Sequence, residues 1–109
     1  MTIREIIEQC SHLEVDEKRA SAPNYHECVI FAKDIVQWEE ALIKSLGSPE
    51  KAPGEKTTQA HFSLTINYGG LRDNQTLFYR KSGNESFIAM FWPWKDKAHI
   101  TLKIACFKE

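Results

Sequence analysis

The sequence FIAMFWPWKDKAHITLKIACF occupies residues 87–107 and decides much of the fold that we predict for this chain. It contains two runs of aromatic and branched side chains, residues 87–94 and 99–107, separated by the charged segment Lys95-Asp96-Lys97. Such runs fit a pleated, half-buried surface, and a short polar break between them is typical of a hairpin. The sequence therefore predicts two antiparallel strands joined by this charged segment.

The two runs differ in how their side chains alternate. In the second run Ile100, Leu102 and Ile104 share one face and polar residues share the other, which predicts one buried face. The first run is apolar on both faces. The domain's own helices would cover one of these faces. We therefore expect the other face to be covered by a partner, a ligand or a second subunit.

The strand register decides which face is outward, and the sequence leaves it open. An even hairpin loop places Trp92, Met90 and Ile88 on the outer face with His99, whereas an odd loop reverses the assignment. The preceding turn is equally open. A four-residue turn pairs Met90 with Leu77, and a three-residue turn pairs Ala89 with it.

Two further strands are predicted before residue 87. Residues 61–68 alternate between polar and apolar and end at Gly69-Gly70, and residues 76–80 form the next apolar run. Short loops between consecutive strands make neighbours antiparallel. We therefore predict a four-stranded antiparallel meander.

Two helices are predicted before the strands. Thr2 and Glu5 have capping-box spacing and begin a short amphipathic helix at about residues 2–13. Asn24 and Glu27 have the same spacing and begin a long helix that ends at Gly47. Residues 14–22 are predicted as a loop and residues 48–59 as a connector. The predicted fold is α+β in the order α-α-β-β-β-β, as a single domain over residues 1–109.

Composition narrows the classes of function. The chain has 109 residues, 42% of them hydrophobic, and a formal net charge of −1. This composition is typical of one globular domain, and the charge gives no general attraction to nucleic acid or to an anionic membrane. Three cysteines are an odd number, and the first residues lack the pattern of a secretory signal. We therefore expect a cytoplasmic protein with reduced thiols and no membrane association.

The sequence contains residue types that can bind a metal, but it contains no cofactor-binding motif. Cys10, His12, His26 and Cys28 are the ligand types of a zinc site. On helices, residues two apart point about 200° away from each other, so we predict that these pairs diverge and hold no metal. A phosphate loop, a nucleophile elbow and a dinucleotide fingerprint are all absent from the sequence, so no cofactor is predicted.

Three functions follow, in order of preference. The first is a small non-catalytic binding or assembly module, most simply a homodimer, or a complex with an unidentified protein, through an apolar sheet face. The second is a small-ligand-binding protein or small enzyme, with a pocket between the long helix and the curved sheet and His99 or His61 as its polar group. The predicted lining of this pocket is Trp38, Trp92, Trp94, Met90 and Tyr79. The third is nucleic-acid binding, which the net charge and the lack of an RNA motif disfavour.

The candidate site lies around Pro93, which cannot donate to a strand ladder. We expect the indoles of Trp92 and Trp94 to point to opposite sides of the sheet unless Pro93 introduces a bulge, with one indole as core and the other as an outward anchor. The predicted ligand or interface residues are Trp92, Trp94, Met90, Ile88, His99 and Tyr79.

Overall fold

The computed structural model describes residues 1–108, which form three layers with one antiparallel sheet in the middle. The helices and strands are α1 (Ile3–Gln9), β1 (Glu17–Ala22), β2 (Tyr25–Phe31), α2 (Ile35–Leu46), α3 (Gln59–Thr65), β3 (Thr76–Ser82), β4 (Glu85–Pro93) and β5 (His99–Lys108). Short 3₁₀ turns, Ala32–Asp34 and Ile66–Tyr68, precede α2 and follow α3. None of the helices in residues 1–108 has the length and apolarity needed to cross a membrane.

The sheet has the strand order β1-β2-β5-β4-β3, and every pair is antiparallel. Three of the four strands of the predicted meander are present, as β3, β4 and β5, and the β1–β2 hairpin extends the sheet beyond β5. The predicted α+β class with an antiparallel sheet is therefore confirmed. The numbers of elements differ. The sheet has five strands where four were predicted, and the described residues form three α-helices where two were predicted.

The predicted helix over residues 24–46 is wrong in its first third, which forms β2. Every residue of β2 pairs with one of β5. The strand β2 therefore provides hydrogen-bond partners for the backbone groups on the edge of β5 that the meander leaves unpaired. Glu27 does not cap a helix but accepts a hydrogen bond from the Tyr25 hydroxyl at 2.5 Å. The predicted loop over residues 14–22 contains the partner strand β1, joined to β2 through Pro23 and Asn24.

The predicted strand over residues 61–68 is also wrong, because this segment forms α3 and a 3₁₀ turn. Thr58 caps the helix by accepting from the His61 backbone N–H at 3.2 Å, and the His61 ring accepts from the Thr58 N–H in return. The four alternating apolar residues are also two pairs spaced i, i+4, which is the spacing of one helix face. Leu64 and Tyr68 pack against the sheet, whereas Phe62 and Ile66 are exposed.

The register agrees with the even-loop alternative. Phe91 lies opposite Leu102 and Trp92 lies opposite Thr101, so the odd-numbered residues of β4 share a face with the even-numbered residues of β5. Met90 lies opposite Leu77, as a four-residue turn requires.

The inner face of the sheet is the face that α1 and α2 cover. Its core combines residues from both helices with residues from four strands. The members are Ile3, Ile6, Cys10, Cys28, Ile30, Trp38, Ala41, Leu42, Leu46, Phe78, Phe87, Ala89, Phe91, Ile100, Leu102 and Ile104.

The outer face is the opposite face, and residues 59–72, which we call the covering segment, pack over part of it. The buried members of this second core are Leu71, Leu77, Ile88, Met90 and Ala105. Leu64 and Tyr68 of the covering segment pack against them. Both apolar faces of β4 are therefore covered within one chain.

Candidate functional site

The residues predicted for the site lie on the outer face, but they do not form one site. Ile88 and Met90 are fully buried beneath the covering segment. Tyr79 is half-buried beside them. Trp92, Trp94 and His99 remain half-buried at the end of the hairpin.

Trp92 and Trp94 both lie on the outer face, so the expectation that their indoles point in opposite directions is wrong. Residues two apart on a strand share a face, and Pro93 does not alter this here. The Trp92 ring lies 3.5 Å from the Lys103 ammonium, and the Trp94 Nε1 donates to the Thr101 hydroxyl at 2.8 Å. Thr101 and Lys103 are themselves outer-face residues of β5.

The Lys103 ammonium is held between an aromatic ring and a carbonyl. It donates to the Tyr68 carbonyl at 2.9 Å while stacking on Trp92 as a cation–π pair. Burial lowers the pKa of Lys103, and the nearby Glu27 carboxylate opposes this shift. Together with Tyr25, Asn67 and Tyr68, Lys103 lines a shallow cleft of about 390 Å³.

His99 belongs to a surface cluster of carboxylates at the tip of the hairpin. Its Nδ1 lies 2.6 Å from the Asp96 carboxylate, and its Nε2 lies 3.6 Å from that of Asp16. The hydrogen bond from His99 lowers the pKa of Asp96. His61 has different neighbours, Thr58 and Glu50, so the two histidines do not form a common site.

A larger cavity lies on the inner face, between α1 and the β1–β2 hairpin. Its volume is about 820 Å³, and it is partly open to solvent. We call it the inner cavity. Its lining residues are Thr2, Ile3, Arg4, Ile7, Glu8, Cys10, Ser11, Leu13, Val15, Lys18, Ser21, Ala22, Pro23, His26, Cys28, Trp38, Leu102 and Ile104.

The elements around the inner cavity explain why it is open. The helix α1 ends after Gln9, with Cys10 as its C-cap, so it spans only part of the sheet. The helix α2 begins at Ile35, on the far side of β2, and contributes Trp38 to the lining. Residues 10–16 then pass over the edge of the sheet to β1 without a helix above them.

Two nitrogen atoms at the inner cavity are buried without a hydrogen-bond partner. They are the Nδ1 of His26 and the Nε1 of Trp38. Both side chains line the cavity, and each is less than one-tenth exposed. A buried polar group without a partner costs about 1–3 kcal/mol, so most such groups are paired in folded proteins. Each of the two atoms has less than 1 Å² of accessible surface, so neither nitrogen faces the open volume of the cavity.

His26 and Cys28 face the same way, which corrects the argument made from a helix. On β2 they are two residues apart and lie opposite Ile104 and Leu102, so both point to the inner face. Cys10 lines the same cavity from α1. Even so, within residues 1–108 there is no group of three or more His, Cys, Asp or Glu side chains arranged to hold a metal ion.

The electrostatics of the inner cavity favour neutral groups. Burial raises the pKa of the Cys10 and Cys28 thiols to about 11. Burial and the charge of Lys18 lower the pKa of His26. At neutral pH the thiols are therefore protonated, and the imidazole is neutral.

The pocket predicted from the sequence joined Trp38 with Trp92, Trp94, Met90 and Tyr79, but of these only Trp38 lines the inner cavity. The prediction missed His26, Cys28 and Lys18. A signal for them is the Pro23-Asn24 pair, a turn sequence between two short segments that could pair as a hairpin.

Comparisons with protein-family models, with curated proteins and with solved structures gave no significant match to this chain. The chemistry of the inner cavity is therefore inferred from its own residues.

Proposed function

We propose that this protein binds a small, largely apolar molecule in the inner cavity. Ligand sites are typically concave, mostly apolar volumes of roughly 300–1,000 Å³ with a few polar groups that fix orientation. The inner cavity has a volume of about 820 Å³ and walls formed by aliphatic side chains of α1 and β5. Its size and lining agree with this class of site.

The observation that carries the proposal is the combination of this volume with a two-sided lining, aliphatic along α1 and β5 and polar at Lys18, Ser21 and His26. A ligand with one hydrogen-bonding group beside an apolar body would match both sides of this lining.

We propose binding without turnover as the role of this cavity. A thiol acts as a nucleophile in its thiolate form, and a pKa of about 11 keeps Cys10 and Cys28 protonated at neutral pH. The two thiols then serve as apolar wall, together with Trp38 and the aliphatic residues.

Filling the inner cavity tests this proposal. Ser21 lies opposite His26 and lines the cavity, so Ser21→Trp would place an indole inside it. We expect this variant to fold normally and to lose affinity for 1-octanol by at least about tenfold in calorimetric titration. The matched control is Ala20→Trp, because Ala20 lies opposite Glu27 and faces the other side of the sheet. Unchanged octanol binding by folded Ser21→Trp would exclude the inner cavity as the site.

The homodimer expected from the sequence remains a separate proposal. Its support is now limited to Trp92 and Trp94, since Ile88 and Met90 are 0% exposed and cannot contact a partner. We expect light scattering coupled to size exclusion to show a dimer at micromolar concentration, and Trp94→Ala to shift it toward monomer. A wild-type chain that elutes only with the mass of a monomer would contradict this proposal.

A cytoplasmic location is likewise proposed. It is supported by the cysteines, since Cys10, Cys28 and Cys106 are all free thiols. Free buried thiols are typical of a reducing compartment.

A further inference from the structure

The polar side of the inner cavity is formed by the β1–β2 hairpin. Lys18 lies opposite Cys28, and Ser21 lies opposite His26, and all four residues line the cavity. The wall provided by β5 consists of Leu102 and Ile104. The cavity therefore has an apolar wall and a polar corner that contains a cation, a hydroxyl and an imidazole.

The charge in this corner is not compensated within the protein. Lys18 is exposed at the rim of the cavity and forms no ion pair with any of residues 1–108, whereas the other two charged residues of the lining, Arg4 and Glu8, lie 3.6 Å apart as an exposed ion pair. The positive potential also reaches the neighbouring imidazole, because burial and then the Lys18 charge lower the pKa of His26. One negative charge placed here would offset one unpaired positive charge.

The polar corner offers hydrogen-bond donors to such a group. The Lys18 ammonium is a donor only, and the Ser21 hydroxyl can donate as well as accept. Hydrogen bonds to a charged acceptor are about twice as strong as neutral ones.

We propose that the ligand of the inner cavity is an amphipathic monocarboxylic acid, with its carboxylate at Lys18 and His26 and its apolar chain along α1 and β5. This inference rests on the proposed function, because it names the chemical class of the same ligand. A single carboxylate matches the single uncompensated charge, which a doubly charged phosphate monoester would exceed.

The test compares octanoate with 1-octanol, which differ in the head group, by calorimetric titration at pH 7. We expect octanoate to bind at least about fivefold more tightly than octanol. The Lys18→Met variant should lose this preference, so that it binds the two probes with similar affinity. The control Lys44→Met makes the same change of charge on α2, outside the cavity lining, and should keep the preference.

The ring of His26 provides a second readout by NMR titration. The charged or titratable groups that line the cavity around it are Lys18 from β1, Arg4, Glu8 and Cys10 from the α1 side, and Cys28 from β2. A bound anion stabilises the protonated imidazole, so octanoate should raise the pKa of His26 and octanol should not. By linkage, octanoate affinity should increase as the pH falls through that pKa, while octanol affinity stays constant.

The outcomes separate the two proposals. Tighter binding of octanoate that depends on Lys18, with a raised His26 pKa, supports the carboxylate. Equal binding of both probes, unchanged in Lys18→Met, overturns the carboxylate proposal and leaves the binding function in place. Failure of both probes to bind overturns the proposed function as well.

Discussion

Replacing Lys51 by methionine is expected to lower the free energy of unfolding by about 3 kcal/mol. Lys51 is 1% exposed, yet its ammonium donates to three backbone carbonyls, those of Ala52 at 3.0 Å, Asp73 at 2.8 Å and Gln75 at 2.6 Å. Methionine preserves most of the side-chain volume but removes all three hydrogen bonds. The change therefore measures the polar contribution of this one buried cation.

The position of Lys51 makes the effect larger than a local one. Its backbone pairs with Leu77 at the outer edge of β3, so it ties the connector before α3 to the sheet. The control is Lys56→Met, an exposed lysine of the same connector that undergoes the same change of charge. Urea unfolding of both variants should show a large loss of stability for Lys51→Met and little change for Lys56→Met. Equal midpoints for the two variants would show that the three hydrogen bonds contribute nothing measurable.

The Gly69→Ala substitution is expected to cost about 2–4 kcal/mol. Gly69 has a φ of +102°, a conformation that disfavours a side chain, and a Cβ at this position would overlap the Trp92 ring. The same Cβ would lie 3.2 Å from the Lys103 Nζ. The missing side chain of Gly69 is what lets the covering segment approach Trp92.

Gly83→Ala is the matched control for the backbone contribution. Gly83 also has a positive φ, of +64°, but a Cβ there would meet nothing within 4 Å. We expect Gly83→Ala to cost about 1 kcal/mol, and the difference from Gly69→Ala to report the overlap with Trp92. Adding Trp92→Ala to Gly69→Ala should recover part of the loss in a double-mutant cycle. Purely additive effects in that cycle would contradict the packing described for the outer face.

The strands β3, β4 and β5 could be predicted because they are local in sequence, but their register could not. Short loops join them, and the alternation of Ile100, Leu102 and Ile104 fixes which face is buried. The choice between even and odd loops was open, since both fit the same composition. In the structure, the register is that of an even loop, and Met90 and Trp92 lie on the outer face beneath or beside the covering segment. Most of that segment had been predicted as a strand, so its cover over these two residues could not be foreseen.

The strand β2 and the helix α3 could not be predicted for the same physical reason. A short apolar segment buried on both faces, such as residues 28–31, fits a helix as well as a strand until its partner is known. The partner of β2 is β5, whose nearest residue lies far along the chain. For α3, the spacing of the apolar residues 62, 64, 66 and 68 fits a helix and a strand equally well. The feature that distinguishes the two is Thr58, which caps the helix.

The inner cavity could be predicted only in part, because its residues depend on β2 being a strand. On a helix, His26 and Cys28 point apart, whereas on a strand they share a face. Because this segment was predicted as a helix, the two side chains were predicted to lie apart, although the fold brings them together. Lys18 was assigned to a loop and so could not be placed opposite Cys28. Trp38 lies on α2, the part of the predicted long helix that the structure retains, but the other residues of the predicted pocket lie on the outer face.

The most direct test of the central claim, that a small apolar ligand binds at the inner cavity, is the set of intermolecular NOEs between bound octanoate and the protein. The account predicts NOEs from the octanoate chain to the Trp38 indole and to the side chains of Leu102 and Ile104. NOEs confined to Trp92, Tyr68 and Tyr25 would place the ligand on the outer face and contradict it.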